Sequence, residues 1–216
     1  MGPRVKICGI TSVEDAEACI ALGADALGVN LVPGTRRCVT EVVAADIVRA
    51  AARRSPGDGT TRVVLVVANR TVEAMVGLRA RVGASWLQLH GDESPDAVAA
   101  LLPEAYKAVS VGGPEDVARA AAYGGDLVLV DAKAPGLLGG AGVAFDWPLV
   151  ADLARRRPLM LAGGLTPDNV AEAVRVVRPA WVDVASGVEA AGDPRRKDPA
   201  RVRAFVLAAR SATSGS

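Results

Sequence analysis

Four polar residues stand at or near the ends of short apolar runs and could share one reaction. Cys8 closes Arg4-Val5-Lys6-Ile7-Cys8, and Asp131 closes Leu127-Val128-Leu129-Val130-Asp131. His90 follows Gln88-Leu89, and Asp183 lies in the run from Ala180 to Ala185. A thiol and a carboxyl are a workable pair for proton transfer, provided their surroundings push their pKa values apart. Gly9 leaves the Cys8 thiol room, and a helix starting just beyond it would place positive potential nearby, favouring the thiolate. Burial would keep Asp131 protonated for acid duty. Each residue also has a plainer reading. Free cysteine is among the most buried side chains, an aspartate at a strand end can cap a turn, and a lone histidine can be structural. The strand-end position of His90 makes a substrate contact an equal alternative. Cys19, inside a helical pattern, and Cys38, in a loop, read as structural.

Two glycine turns add anion chemistry. Leu161-Ala162-Gly163-Gly164-Leu165 passes from strand to turn, and Val184-Ala185-Ser186-Gly187-Val188 passes from strand to a short helical turn. Backbone N–H groups at such places take phosphate oxygens. Either glycine pair alone says little; the two together, after successive strands, say more. Arg37, in the Pro33-Gly34-Thr35-Arg36-Arg37-Cys38 loop, could clamp a carboxylate through its fork of donors.

Positioning these groups falls to two alternating kinds of segment. Short apolar runs occupy Arg4-Cys8, Ala26-Leu31, Arg62-Val67, Ser85-Leu89, Tyr106-Val111, Asp126-Asp131, Pro158-Ala162 and Ala180-Ala185. Between them lie Ala- and Arg-rich stretches with apolar residues at helical spacing: Val13-Leu22, Glu41-Ala52, Val72-Val82, Asp96-Leu102, Glu115-Ala122, Leu149-Arg155, Asp168-Val177 and Pro199-Ala209. Gly23 and Gly83 sit where helix-ending glycines belong. Thr11 with Glu14, and Thr71 before Val72, read as helix starts, and Pro95, Pro167 and Pro199 as first-turn prolines. The runs are continuous rather than alternating, which points to a parallel sheet covered by helices. About eight strand–helix pairs predict an α/β fold, a small single-domain (β/α)8 TIM barrel over residues 1–210, with a disordered tail at 211–216. Its active site would lie at the C-terminal ends of the strands. A doubly wound open sheet is second choice, because no glycine fingerprint opens the first βα turn. Ala132 to Asp146 is glycine-rich without a helical period and reads as a functional or mobile loop.

Composition narrows the function. The 216 residues are 50% hydrophobic, 23% charged and 3% aromatic, with a net charge of +1. A near-neutral chain with few aromatics offers no footprint for nucleic acid. Runs such as Val63 to Ala68 are too short to cross a bilayer. A single histidine excludes a multi-histidine metal site. Three cysteines without paired spacing, and no signal-like segment at the start, predict a reducing, cytoplasmic setting.

The residues now carry a resemblance. Val5-Lys6-Ile7-Cys8-Gly9-Ile10-Thr11 resembles the opening of the phosphoribosylanthranilate isomerases of tryptophan biosynthesis. The likeness continues through Gln88-Leu89-His90-Gly91-Asp92-Glu93, Leu129-Val130-Asp131-Ala132-Lys133, and Gly139-Gly140-Ala141-Gly142 with Phe145-Asp146-Trp147. It ends with Ala162-Gly163-Gly164-Leu165, Asp168-Asn169-Val170, Asp183-Val184-Ala185-Ser186-Gly187-Val188-Glu189 and Lys197-Asp198. It covers essentially the whole chain in order. The resemblance implies a cofactor-free, metal-free Amadori rearrangement of N-(5-phosphoribosyl)anthranilate on a (β/α)8 barrel. It implies Asp131 as general acid and Cys8 as general base. It places Arg37 and His90 near the anthranilate end, Asp183 on the substrate hydroxyls or the base, and Gly163, Gly164, Ser186 and Gly187 at the phosphate. Ala141 and Ala185 stand where hydroxyl residues are usual, and Cys38 where an aromatic is frequent. The expected partner is a phosphorylated small molecule, with no nucleic acid or membrane, and the chain itself a monomer or homodimer. Two other functions fit the same pattern less well. A related aminoaldose phosphate isomerase would use paired aspartates, and none stands in place of Cys8. A non-catalytic phosphate-binding barrel would have no reason to keep both Cys8 and Asp131.

Overall fold

The computed structural model describes residues 2–54, 61–132 and 147–212. The glycine-rich segment at 133–146, Ala141 included, and residues 213–216 of the expected tail lie outside the described residues. The chain begins with β1 (Arg4–Cys8), α1 (Val13–Ala21), β2 (Ala26–Asn30), α2 (Glu41–Arg54), β3 (Arg62–Val67) and α3 (Val72–Val82). It continues with β4 (Trp86–Leu89), α4 (Pro95–Ala99), β5 (Ala105–Val111), α5 (Pro114–Ala122), β6 (Val128–Ala132) and α6 (Pro148–Arg156). Then come β7 (Leu159–Ala162), α7 (Val170–Val177), β8 (Trp181–Val184), a 3-10 turn (Ser186–Val188), β9 (Glu189–Ala190), β10 (Asp193–Lys197) and α8 (Pro199–Ser211). The first eight strands pair in parallel in chain order, and β8 pairs back onto β1, so the sheet closes into a barrel.

Two apolar clusters account for the closure. The larger lies between sheet and helices and takes one face of every strand, for example Val5 and Ile7 of β1 and Leu65 and Val67 of β3, against Ala16, Ile47, Leu78 and Phe205 of the helices. The smaller fills the barrel with Ala26, Val64, Tyr106, Ala108, Leu129, Met160, Ala162 and Trp181. A strand buried on both faces needs apolar residues throughout, which is why the eight runs are continuous. The N-terminal end has an aromatic floor. The first residues of β4 and β8, Trp86 and Trp181, meet edge to face at 6.0 Å, with Tyr106 6.0 Å from Trp86. Arg62 lies over Trp86 at 4.1 Å and Arg4 over Trp181 at 5.4 Å.

Local signals explain most element ends. Thr71 caps α3 by accepting from the Ala74 N–H, and Gly83 ends it at φ 77°, donating to the Arg79 carbonyl. Pro95 and Pro199 stand in the first turns of α4 and α8. Two caps differ from expectation. Ser12, not Thr11, caps α1, because the Thr11 hydroxyl donates to the Arg195 carbonyl. Pro167 precedes α7 by a full turn, with Asn169 as cap residue. Helix α4 is also shorter than its pattern suggests: it stops at Ala99, four residues before Pro103, which cannot continue a helix. No described helix is long and apolar enough to cross a membrane.

Candidate active site

The C-terminal mouth of the barrel holds a cavity of about 380 Å³. Cys8, Arg37, His90, Asp131, Gly163, Gly164, Asp183 and Ser186 all line it, so residues from six βα units meet at one place. Strand parity explains the convergence. Side chains on alternate residues of β1 enter the barrel, so Lys6 and Cys8 point the same way as Gly28 of β2, Gln88 of β4, Asp131 of β6 and Asp183 of β8.

Beneath the cavity lies a buried polar network. The Lys6 ammonium is fully buried, 3.0 Å from the Asp183 carboxylate, and donates to Gln88 Oε1 at 2.9 Å. The Tyr106 hydroxyl donates to the same oxygen at 3.0 Å. With two donors on Oε1, the amide nitrogen of Gln88 must face His90 Nδ1, 3.0 Å away. Gln88 therefore donates, Nδ1 accepts, and the imidazole carries its proton on Nε2. Nε2 faces Asp131 Oδ2 at 3.9 Å. Burial lowers the His90 pKa, and the Asp131 charge only partly opposes it, so the ring is neutral near pH 7. Burial would also neutralise Lys6, but Asp183, aided by Cys8 and Tyr106, more than offsets it and keeps the ammonium charged. Glu93 fixes the loop after His90, accepting from the N–H groups of Asn69 at 2.8 Å and Gly91 at 3.0 Å.

The Cys8 thiol differs from expectation. Burial pushes its pKa up, Lys6 and more weakly Lys197 pull it down, and Asp183 pushes it up again. The positive charge near the sulfur comes from these lysines. The start of α1 lies farther along at Val13, and Ser12 already caps it. Gly28 makes the meeting possible: a Cβ there would stand 2.7 Å from Cys8 Sγ and 3.0 Å from Lys6 Nζ. If Cys8 is the reacting group, as proposed below, Gly28→Ala is expected to lower kcat about 100-fold, since misplacing such a group by roughly 1 Å has that scale of effect. Steady-state kinetics beside a thermal melt will separate this from unfolding; wild-type kcat in the variant would refute it.

The glycine turns pack on each other. A Cβ on Gly187 would stand 2.0 Å from the Leu165 carbonyl oxygen, so only glycine fits between the loops after β7 and β8. Gly163 and Gly164 have φ values of 92° and 63°. Gly187 packs behind the cavity and does not line it. Among the described residues, no acceptor meets the backbone N–H of Gly164, Ser186 or Gly187.

The match to the family model described as N-(5'phosphoribosyl)anthranilate (PRA) isomerase runs over residues 5–208. The chain belongs to this family. An N-(5'-phosphoribosyl)anthranilate isomerase from Myxococcus xanthus is 48% identical, with 98% of each chain covered. The crystal structure of phosphoribosyl anthranilate isomerase from Thermotoga maritima superposes with a TM-score of 0.84 at 35% identity, covering 97% of this chain and 99% of that one. A further isomerase structure, 32% identical with a TM-score of 0.81 and the same coverage, holds reduced 1-(o-carboxyphenylamino)-1-deoxyribulose 5-phosphate. The (β/α)8 architecture is thus common to the family. Within this isomerase barrel, three residues had no role from sequence reasoning: Lys6, Glu189 and Lys197. A lysine two residues from Cys8 inside an apolar run was a readable signal, because period two turns both side chains inward. The other two meet their partners across long sequence separations, and spacing alone does not mark a role for them.

Proposed function

We propose that this chain converts N-(5-phosphoribosyl)anthranilate to 1-(2-carboxyphenylamino)-1-deoxyribulose 5-phosphate. The observation that carries the reading is Cys8 and Asp131 facing one cavity, from β1 and β6, with the Gly163-Gly164 and Ser186 turns on its rim. Asp131 donates a proton to the ribose ring oxygen as the C1–O bond breaks, and the anilino nitrogen's lone pair forms the C1=N bond of a protonated Schiff base. The Cys8 thiolate then takes the proton from C2, the C2–H electrons form C1=C2, and the iminium becomes an enolamine. Tautomerisation to the ketone moves the enol proton from O2 to C1, so substrate and product are isomers. The buried Lys6 ammonium lowers the cost of the thiolate, and Asp183 holds Lys6 in place. His90, neutral with its proton on Nε2, presents a donor beside Asp131 and the anthranilate ring.

Arg37 takes the anthranilate carboxylate, and the phosphate sits at the Gly163-Gly164 and Ser186-Gly187 turns, on the N–H groups of Gly164 and Ser186, with Gly187 holding the turn from behind. Alanine at 185 leaves the phosphate to be held by backbone groups there. Gly187→Ala would force the Leu165 loop outward and weaken inhibition by inorganic phosphate about tenfold, the scale of one lost charge-assisted hydrogen bond. An unchanged inhibition constant would remove Gly187 from the phosphate site. The direct test of the whole reading is rescue of a tryptophan auxotroph lacking this isomerase, followed by loss of anthranilate fluorescence with purified protein. Neither rescue nor turnover would refute it. The reading extends to a compartment with reduced thiols, such as the cytoplasm, because the proposed base is a free cysteine.

A further inference from the structure

The strand pair β9/β10 was not expected from the sequence, and it grips the loop that carries Arg37. Arg195 Nη1 donates to the carbonyls of Arg36 at 3.0 Å and Cys38 at 3.2 Å. Glu189 Oε1 accepts from Arg37 Nε at 2.5 Å. Arg37 is also fixed along its stem, whose Cδ lies 2.3 Å from where a Gly9 Cβ would stand. Thus the stem and the Nε edge are both held. Among the described residues, no acceptor meets the terminal Nη1 and Nη2 of Arg37, which lines the cavity.

Glu189 is itself anchored. Lys197, almost completely buried, approaches its Oε1 at 3.5 Å and donates to the Ala185 carbonyl at 3.1 Å. The Lys197 backbone N–H donates to Asp15 Oδ2 at 2.9 Å. A guanidinium has two edges that can receive a carboxylate. Here an internal carboxylate occupies the Nε side, so a second, external carboxylate can meet only the terminal fork.

We infer that Glu189 is a positioning residue, which holds Arg37 by its Nε edge and presents the terminal fork to an aryl carboxylate of the substrate. The ordering entropy of a long side chain is then spent at folding and not at binding. The inference rests on the reading that Arg37 meets the anthranilate carboxylate. It adds what sets the arginine's direction, and so the preference for a carboxylated aryl amine over a plain one.

Isothermal titration calorimetry with two stable ligands tests it. One is reduced 1-(2-carboxyphenylamino)-1-deoxyribulose 5-phosphate; the other is its phenylamino counterpart without the carboxylate. The wild type is expected to favour the first by at least about tenfold, the scale of a bidentate charged pair. Arg37→Met should bring the ratio of the two Kd values close to one. Glu189→Gln, which keeps size and removes charge, should lower that ratio about fivefold and leave the second ligand's Kd unchanged. The double variant should match Arg37→Met. Unchanged or tighter binding of the carboxylated ligand by Glu189→Gln would overturn the inference. So would equal weakening of both ligands, which would mean a general disturbance of the site. A preference that survives Arg37→Met overturns the earlier reading of Arg37 instead.

Discussion

Cys8→Ala is expected to lower kcat by about 10²–10⁴-fold while the barrel stays folded, and Asp131→Asn should do the same, since a positioned acid or base contributes on that scale. The effect is large because, in the proposed mechanism, each group has a step to itself. Without Asp131 the ring oxygen leaves unprotonated, and without Cys8 the C2 proton has no acceptor. Both side chains line the cavity, and thermal melts beside the kinetics separate loss of chemistry from loss of fold. Single-turnover kinetics will show which step is lost. Near-wild-type turnover in both variants would sink the mechanism. The pH dependence has a definite sign. Burial raises the thiol pKa, so Cys8 is protonated at neutral pH in the free enzyme, and the base appears as pH rises. The acid limb of kcat/KM, and the rate of alkylation of Cys8 by iodoacetamide, should both climb through and beyond the ordinary thiol range. A flat profile from pH 6 to 9 would contradict this.

Lys6→Met carries the second large effect, on stability and on chemistry together. It leaves the Asp183 carboxylate buried without its cation and removes one of the two donors to Gln88 Oε1. Breaking a buried ion pair on one side costs about 3–5 kcal/mol, because the remaining charge has no compensation. Lys6→Met/Asp183→Asn should recover much of that stability in urea unfolding, since no buried charge is then left over. The recovery should not extend to activity in the same way. Loss of the ammonium removes the main pull on the thiol toward its charged form, so the acid limb of kcat/KM moves to higher pH by about one unit or more, the scale of one close charge. Lys6→Met with wild-type stability, or with an unmoved acid limb, would show that Lys6 does not hold this place.

How far the sequence reaches depends on the range of the interaction involved. Strands β1 to β8 are legible within two residues because burial on both faces forces a continuous apolar run. Helix ends are less so. Thr11 and Ser12 are equally good cap types, and the choice is made by the Arg195 carbonyl, which is 184 residues away. The pair β9/β10 was missed because Asp193-Pro194-Arg195-Arg196-Lys197 has no apolar face, and its role is to clasp the Arg37 loop. In the site, Cys8, His90, Asp131 and Asp183 could be found because strand ends in a parallel barrel share one mouth. The direction of the Cys8 shift was not legible, because desolvation depends on what the whole barrel packs around the sulfur. Likewise Glu189 meets Arg37 across 152 residues, and no spacing rule reports such a pair.

The aromatic floor has an optical consequence. Trp86 and Trp181 start β4 and β8, which stand half a turn apart around the barrel, so these two indoles meet only when the ring of strands is closed. The third indole, Trp147, precedes α6 on the outer side. Exciton coupling between Trp86 and Trp181 in the near-ultraviolet circular dichroism spectrum is thus an internal gauge of ring closure. Because the coupled chromophores sit at the end away from the mouth, the signal should stay constant while ligand is titrated and vanish when the barrel opens.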